Sequence, residues 1–535
     1  MLYQIKKTAF YSLSLLVLPL LVLSCHSKPR DSSPFQNFSE YTAAISIPTT
    51  PDCMNDCVAR KKEFRYLAYV GEKIYCYWDE KQSSYNIDFK KKAYEFENRI
   101  TNEMSETKYF LLLVQWASLF HDGHVNPMLK ADLTKFEFDT PTIRFEILSP
   151  GTNHESLIVA QVGEEVTQLK VGTVVSKIQG RAWKSYLPEA EKYSMGSTEF
   201  LRKRQMANLI FRVLSSQEGS RPVLIEGEYL GKAVQEVIAR NLSLYDGALG
   251  TDPSVEETGL KLLKTSILEN NLGYLRIDGF SGTKMAQLLE QAMMRLQNTD
   301  GLLIDVRKNG GGDQSGNMIL KYLTDVPLTR YYQRALNSDY LIAVRPEVLI
   351  DFDYIGGKFT ELSGRMFGPA NPSQVYRRPV AVLTSANCFS ACDTFVSALK
   401  EHKLATVLGE NTGGGTGSPV VFELPTSQHK FRYSAYQGFT AVSKTLLEGV
   451  GTAPDFFIEP TVQERVEKKD RQLERALEWL SKKASSYASS HSSQNEASSA
   501  APMVLPASLL DAPVSAKTTI PLEIEFDRQI RNASE

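Results

Sequence analysis

Between residues 265 and 460 the chain alternates short apolar runs with amphipathic stretches, and no other feature restricts its fold as much. Residues 272–277, 301–306, 380–383 and 406–408 are apolar and bounded by turn residues, the pattern of buried strands. Residues 284–296, 315–323 and 394–399 carry the helical period between them. Strands and helices that alternate in this way bury their apolar faces by layering, so a β/α layered domain is expected.

The flanks read differently. At 535 residues the chain is too long for one core, and several domains are expected. Residues 51–138 have helical character: Phe96, Ile100 and Met104 recur every four residues, and 109–119 carry a second apolar face. Residues 139–250 are β-rich, with strands expected at 142–147, 157–162, 171–178 and 223–225. The layered domain spans 260–483 and closes with a charged helix over 463–480. That helix turns Leu473, Ala476, Leu477 and Leu480 to one face. From 484 to 535 the chain is rich in Ser and Ala, and a disordered tail is expected.

The first 25 residues form a targeting segment. Lys6 and Lys7 precede an apolar run over 13–23, which ends in Val22-Leu23-Ser24-Cys25. A small residue before cysteine in that place is similar to a bacterial lipobox, whose cysteine is lipidated. The run is short for a membrane-spanning helix. The expectation is therefore export, a polar tether over 26–50, and a lipid anchor at Cys25. This places the protein in the cell envelope, on the periplasmic or extracellular side of a bacterial membrane.

Export permits disulfides. Of the six cysteines, lipidation of Cys25 leaves five, so at least one stays free or bridges chains. Cys53/Cys57 and Cys388/Cys392 are each four residues apart. For the second pair both a bridge and two packed thiols are open, although turn backbones rarely close so short a loop. The net charge of −2 exerts no pull on nucleic acid, which is excluded as a partner. The seven histidines are scattered without zinc-ligand spacing, and neither metal nor cofactor is expected.

Chemistry concentrates in Cys388-Phe-Ser390-Ala-Cys392-Asp, set between the apolar run 380–383 and the helical run 394–399. A strand-to-helix turn lifts a side chain to the sheet edge and aims backbone N–H groups at its surroundings. A serine there suits nucleophilic attack, and the N–H of the next residue, Ala391, suits an oxyanion.

Four separated motifs then fall in one order: Asp122-Gly-His124, Asp305-Val-Arg307-Lys-Asn309-Gly-Gly-Gly312, Phe389-Ser390-Ala391 and Glu448-Gly-Val-Gly451-Thr-Ala-Pro454-Asp455. Over roughly residues 55–480 this ordered set resembles the tail-specific (C-terminal-processing) and tricorn-type serine peptidase family. The lysine that many members place after the serine is missing here, because the matching stretch reads Gly409-Glu-Asn-Thr-Gly-Gly-Gly415-Thr-Gly417. The plan that fits is that of the chlamydial protease-like activity factor branch, with an N-terminal histidine as base.

The resemblance implies an α/β protein. An N-terminal helical subdomain carries the histidine, followed by a PDZ-like β-rich insert, a crotonase/ClpP-like layered catalytic domain and a C-terminal helix. Leu169-Lys-Val-Gly172-Thr173-Val-Val-Ser-Lys-Ile178-Gln-Gly180 is similar to a PDZ strand-and-turn stretch, with Thr173 in place of the usual Asp. The implied roles are Ser390 nucleophile, His124 base, Glu448 supporting acid, and Gly311, Gly312 and Ala391 as oxyanion donors. The implied substrate is unfolded or extended polypeptide, cut by an endopeptidase, and a homodimer is compatible with the family. The alternative reading is a catalytically inactive, PDZ-like peptide-binding lipoprotein.

Overall fold

The computed structural model describes residues 47–495 except 48, 51–52, 131–136, 140–142, 219–220, 240–241, 245–258, 354–356 and 370–373. The leader with Cys25, most of the tether and the tail beyond 495 lie outside the described residues.

Helices α1 (Asn55–Ile74), α2 (Trp78–Tyr85), α3 (Phe89–Glu97) and α4 (Glu106–Ser118) lead the described chain. They close around rings. Phe89 stacks on Phe120 at 4.3 Å between centroids, and Phe64 meets Trp116 edge-on at 5.4 Å. Such pairs add to the area they bury. The four-residue repeat through Met104 does not continue as helix: α3 stops at Glu97 and Ile100 is buried in a loop. Asn98, Thr101 and Asn102 favour turns over helix interior. Ser105 then caps α4 by accepting from the Lys108 N–H. After α4 the chain turns through residues 119–125 into the short strand β1 (Asn126–Met128).

The β-rich body is an antiparallel sheet in the order β2 (Ile143–Leu148), β3 (Ser156–Val162), β4 (Val174–Ile178), β5 (Val223–Tyr229) and β6 (Lys232–Ile238). Helix α5 (Glu199–Glu218) packs on it, with Phe145 of β2 stacked on Phe211 of α5 at 5.1 Å. Strand β2 lies at the sheet edge, where a PDZ-like module would add a peptide strand. The Phe145 N–H of this strand donates to the Asn208 side chain at 3.0 Å.

The third region contains β7 (Leu263–Leu268), β8 (Leu272–Ile277), α6 (Met285–Leu296), β9 (Gly301–Asp305) and α7 (Asn317–Lys321). It continues with β10 (Leu328–Ala335), β11 (Ser363–Phe367), β12 (Val380–Thr384), α8 (Ala391–Glu401) and β13 (Thr406–Gly409). Then come β14 (Val420–Glu423), β15 (Lys430–Tyr433), β16 (Tyr436–Phe439), β17 (Phe456–Phe457) and α9 (Arg471–Asn495). Its main sheet has the order β7-β8-β9-β12-β13-β17. Only β7 runs antiparallel to its neighbour. Every residue of β9 and β12 is buried, as expected where helices cover both faces of a parallel sheet. Leu288, Leu289, Phe395 and Val396 fill one face, and Ala476 and Leu480 of α9 fill the other.

Helix α9 runs to Asn495, past residue 484 where the tail was expected to begin. Ala476, Leu480 and Ala484 recur every fourth residue on its buried stripe, and beyond it the Ser485, Ser486 and Ser489 hydroxyls donate to the carbonyls four residues back.

Strand β1 pairs antiparallel with β15, with Asn126 opposite Arg432. This pairing fastens the helical region, and the loop before β1, to the layered domain.

Candidate active site

Three loops leave adjacent strands at the same end of the main sheet. Strands β9, β12 and β13 are parallel neighbours, registered Asp305 with Leu383 and Leu383 with Leu408. Residues 306–312, 385–390 and 410–417 therefore emerge side by side at the carboxyl ends, where open α/β sheets bind ligands. Hydrogen bonds join them: the Phe389 N–H donates to Asn309 O at 3.2 Å and the Ser390 N–H to Gly415 O at 2.9 Å.

Ser390 sits at the N-cap of α8 with φ +59° and ψ −119°. A non-glycine residue held there costs about 1–3 kcal/mol and persists only where its surroundings overdetermine it. Here the Cys388–Cys392 disulfide spans Ser390, with Cα atoms 5.3 Å apart. Cys53 and Cys57 are bridged as well, at 5.1 Å, and among the described residues Cys76 is the remaining thiol, buried and pushed well above its usual pKa by desolvation. The ring of Phe389 fills the space between the loops. A Cβ on Gly415 would lie 1.8 Å from that ring, so only glycine fits there. Asp393, fully buried under the turn, accepts from the Gly415 N–H at 3.0 Å, and burial pushes its carboxyl up to about 7.

The pairing of β1 with β15 delivers His124. Its Nε2 lies 2.9 Å from Ser390 Oγ, although 266 residues separate the two in sequence. The ring packs on Phe389 at 4.8 Å between centroids. Burial pushes the imidazole down to about 4; Asp122 opposes this and Arg432 adds to it. At neutral pH the ring is uncharged and its Nε2 can take a proton.

The glycine run divides its work. The Gly311 N–H turns inward to Asn309 Oδ1 at 2.9 Å, so the first oxyanion candidate is already engaged. Gly312, at φ +129° with its Cα against Phe280 O, lines the cleft beside Ser390. Among the described residues no acceptor takes the N–H of Gly312 or Ala391. A cleft of about 130 Å³, bounded also by Gln314, Tyr331, Thr394 and Gln437, opens from Ser390.

Glu448 is buried nearby, with its carboxylate engaged by other groups. Lys81 Nζ of α2 donates to its Oε1 at 2.9 Å, and the Thr416 N–H to its Oε2 at 3.3 Å. Among the described residues Glu448 makes no hydrogen bond or ion pair with His124. Burial and the nearby Asp122 push the Glu448 carboxyl up, and the Lys81 ammonium counters them. Two carboxylates hold Lys81 charged despite its burial.

Sequence reasoning missed Lys81, Ser434 and any role for Asp122. Asp122 stood inside the quoted Asp122-Gly-His124 motif, whereas no local signal marked Lys81 or Ser434. His121 stacks on Tyr85 at 4.0 Å, away from the serine. Arg307 bonds to Asp305 and Asp470 and so ties the β9 loop to the start of α9, in keeping with a loop-fixing role.

Comparison with known proteins follows the same lines. Residues 271–458, which carry the glycine run, Ser390 and Glu448, match the model of Peptidase family S41, a family of serine peptidases. A carboxy-terminal-processing protease of Bartonella bacilliformis is 22% identical over 266 residues, covering 46% of this chain and 54% of the relative. The chain thus spans about half the length of that relative. The crystal structure of mature CPAF superposes with a TM-score of 0.58 at 14% identity, covering 79% of this chain and 96% of the other. A second structure, mature CPAF complexed with lactacystin, gives 0.56 at 14%, with coverage of 80% and 98%. The resemblance to C-terminal-processing serine peptidases, and the layered α/β fold it implied, are borne out.

Proposed function

We propose that this chain, similar to Peptidase family S41 over residues 271–458, is a serine endopeptidase that hydrolyses peptide bonds of unfolded or extended polypeptide. The observation that carries the reading is the 2.9 Å approach of His124 Nε2 to Ser390 Oγ at the N-terminus of α8. In this reading His124 takes the Ser390 proton as Oγ attacks the substrate carbonyl. The N–H groups of Ala391 and Gly312 receive the oxyanion, with Gly311 shaping the loop that presents Gly312. One such donor is worth about 3 kcal/mol in the transition state. The positive end of α8 adds to that field. The protonated His124 then supplies the leaving amine, and water repeats the sequence on the acyl-enzyme.

The resemblance implies Glu448 as the acid of this mechanism; in the structure its carboxylate pairs with Lys81, and Asp122 lies nearer the imidazole. Lipid anchoring through Cys25 in the cell envelope is part of the proposal. Two disulfides agree with an oxidising compartment. The inactive peptide-binding alternative is disfavoured by the approach of His124 to Ser390, which binding alone does not require.

The test is a fluorophosphonate probe followed by peptide mapping. Modification at Ser390, lost in Ser390→Ala together with cleavage of unfolded casein, is the expected result. Labelling elsewhere, or Ser390→Ala retaining more than about a tenth of the activity, refutes the assignment.

A further inference from the structure

We infer that Asp122, held in place by Ser434, is the carboxylate that stabilises protonated His124 during turnover, and that Glu448 positions the cluster without bonding to the imidazole. The inference rests on the serine-peptidase reading above and alters its expected acidic member.

Asp122 has no solvent exposure. Its Oδ1 accepts the His124 backbone N–H at 2.8 Å and lies 3.9 Å from His124 Nδ1. Its Oδ2 accepts the Ser434 hydroxyl at 2.8 Å. Both oxygens are thus fixed, with one directed at the inner edge of the ring. His124 Nδ1 itself is buried and has no hydrogen-bond partner among the described residues. Around that nitrogen the packing leaves room only because residue 417 is glycine. A Cβ there would stand 2.2 Å from Ser434 Oγ and 3.3 Å from His124 Nδ1.

Glu448 cannot fill this role as placed. One of its oxygens pairs with the Lys81 ammonium and the other takes a backbone N–H. Its charge is therefore balanced before any proton moves. Among the described residues Asp122 forms no ion pair with a lysine or arginine: it is bonded to a hydroxyl and a backbone amide, and Lys81 and Arg432 act on it only at longer range. The charged groups around the ring are Asp122 from its own loop and Arg432 from β15, with Lys81 and Glu448 near Asp122.

The proton balance is simple. Attack by Ser390 Oγ forms the C–O bond, and the Oγ proton passes to His124 Nε2. The ring becomes an imidazolium, Nδ1 keeps its proton, and Asp122 stays ionised throughout. A small closure of the 3.9 Å gap turns the contact into a charge-assisted hydrogen bond. The Nε2 proton then leaves with the amine. Asp122 and Ser434 touch no substrate in this scheme and act as positioning residues through His124.

The experiment compares Asp122→Asn, Ser434→Ala and Glu448→Gln in the full chain. It measures kcat and KM on a peptide substrate, and fluorophosphonate labelling rate against pH. Asp122→Asn is expected to lose on the order of 10³-fold in kcat and labelling rate, because an amide cannot balance the imidazolium. Its acid limb moves to lower pH, since losing an anion makes the ring harder to protonate. Ser434→Ala loses about tenfold in kcat with KM little changed, and its acid limb shifts the same way. Glu448→Gln lowers the thermal midpoint but leaves the acid limb in place.

A Glu448→Gln variant that loses about 10³-fold and shifts the acid limb, beside an Asp122→Asn variant that labels at the wild-type rate, overturns the inference. If Asp122→Asn fails to fold by circular dichroism, Ser434→Ala decides alone, and an unmoved acid limb overturns it. No labelling of the wild type refutes the peptidase reading and the inference together. Labelling of the wild type with an unaffected Asp122→Asn refutes the inference alone.

Discussion

Replacing Lys81 with methionine should destabilise the protein far more than an ordinary lysine substitution, and the reason lies with the partner it leaves behind. The Lys81 side chain is 7% exposed and that of Glu448 1%. Its ammonium donates to Glu448 Oε1 at 2.9 Å and to His121 O at 2.7 Å. Methionine fills the volume but leaves Glu448 buried beside Asp122 with no cation. Breaking one side of a buried pair costs about 3–5 kcal/mol. At about 2–4 °C per kcal/mol, the slope for a domain of roughly 150–250 residues, that lowers the midpoint by roughly 6–20 °C. Lys81→Met/Glu448→Gln removes both charges and should recover most of the loss, so the double-mutant cycle gives a coupling of roughly 2 kcal/mol or more.

The pH dependence has a definite sign. Without the ammonium, Glu448 holds a proton in the folded state, its pKa raised above the unfolded value by burial and Asp122. A raised folded pKa means stability is lost as pH rises, so the Lys81→Met deficit is larger at pH 9 than at pH 6. Scanning calorimetry on the single and double variants at both pH values is the assay. A Lys81→Met midpoint within 2 °C of wild type, or a double variant no more stable than the worse single one, would refute the argument.

Three further outcomes follow from the site. Because burial holds the His124 imidazole down at about 4, labelling of Ser390 should keep its full rate well below pH 6, the range in which an exposed histidine would already be protonated. His124→Ala should abolish activity, whereas Lys430→Ala should preserve it, because Lys430 is an exposed residue of β15. Reduction of the Cys388–Cys392 bridge should lower kcat while shifting the thermal midpoint little, since the closed loop is very short. Mass spectrometry of a non-reduced digest should find both cysteines in one linked peptide. Fully active enzyme with two alkylated thiols contradicts that expectation.

Local sequence marked what local physics governs. The apolar runs at 301–306 and 380–383 became strands because their side chains suit a sheet covered on both faces. The small residues around Ser390 marked a strand-to-helix turn, and the Asn309–Gly312 run marked a loop that a bulkier chain could not follow. Even locally the reading had limits. The helical period through Met104 gave way to turn-forming Asn98, Thr101 and Asn102, and α9 runs past residue 484 into a serine-rich stretch.

Everything that depends on which distant segment lies opposite waited for the tertiary structure. The pairing of β1 with β15 decides that His124 meets Ser390, and it also carries Ser434 towards Asp122. Packing of α2 against the loop near 448 decides that Glu448 has a cation for a partner. The inward turn of Gly311 decides which glycine N–H remains free. Sequence periodicity encodes which face of an element is buried, and so it locates strands, helices and the turns between them. It carries no record of which buried charge will face which ring, because that is set by contacts hundreds of residues apart and by the need of each desolvated group to find a partner.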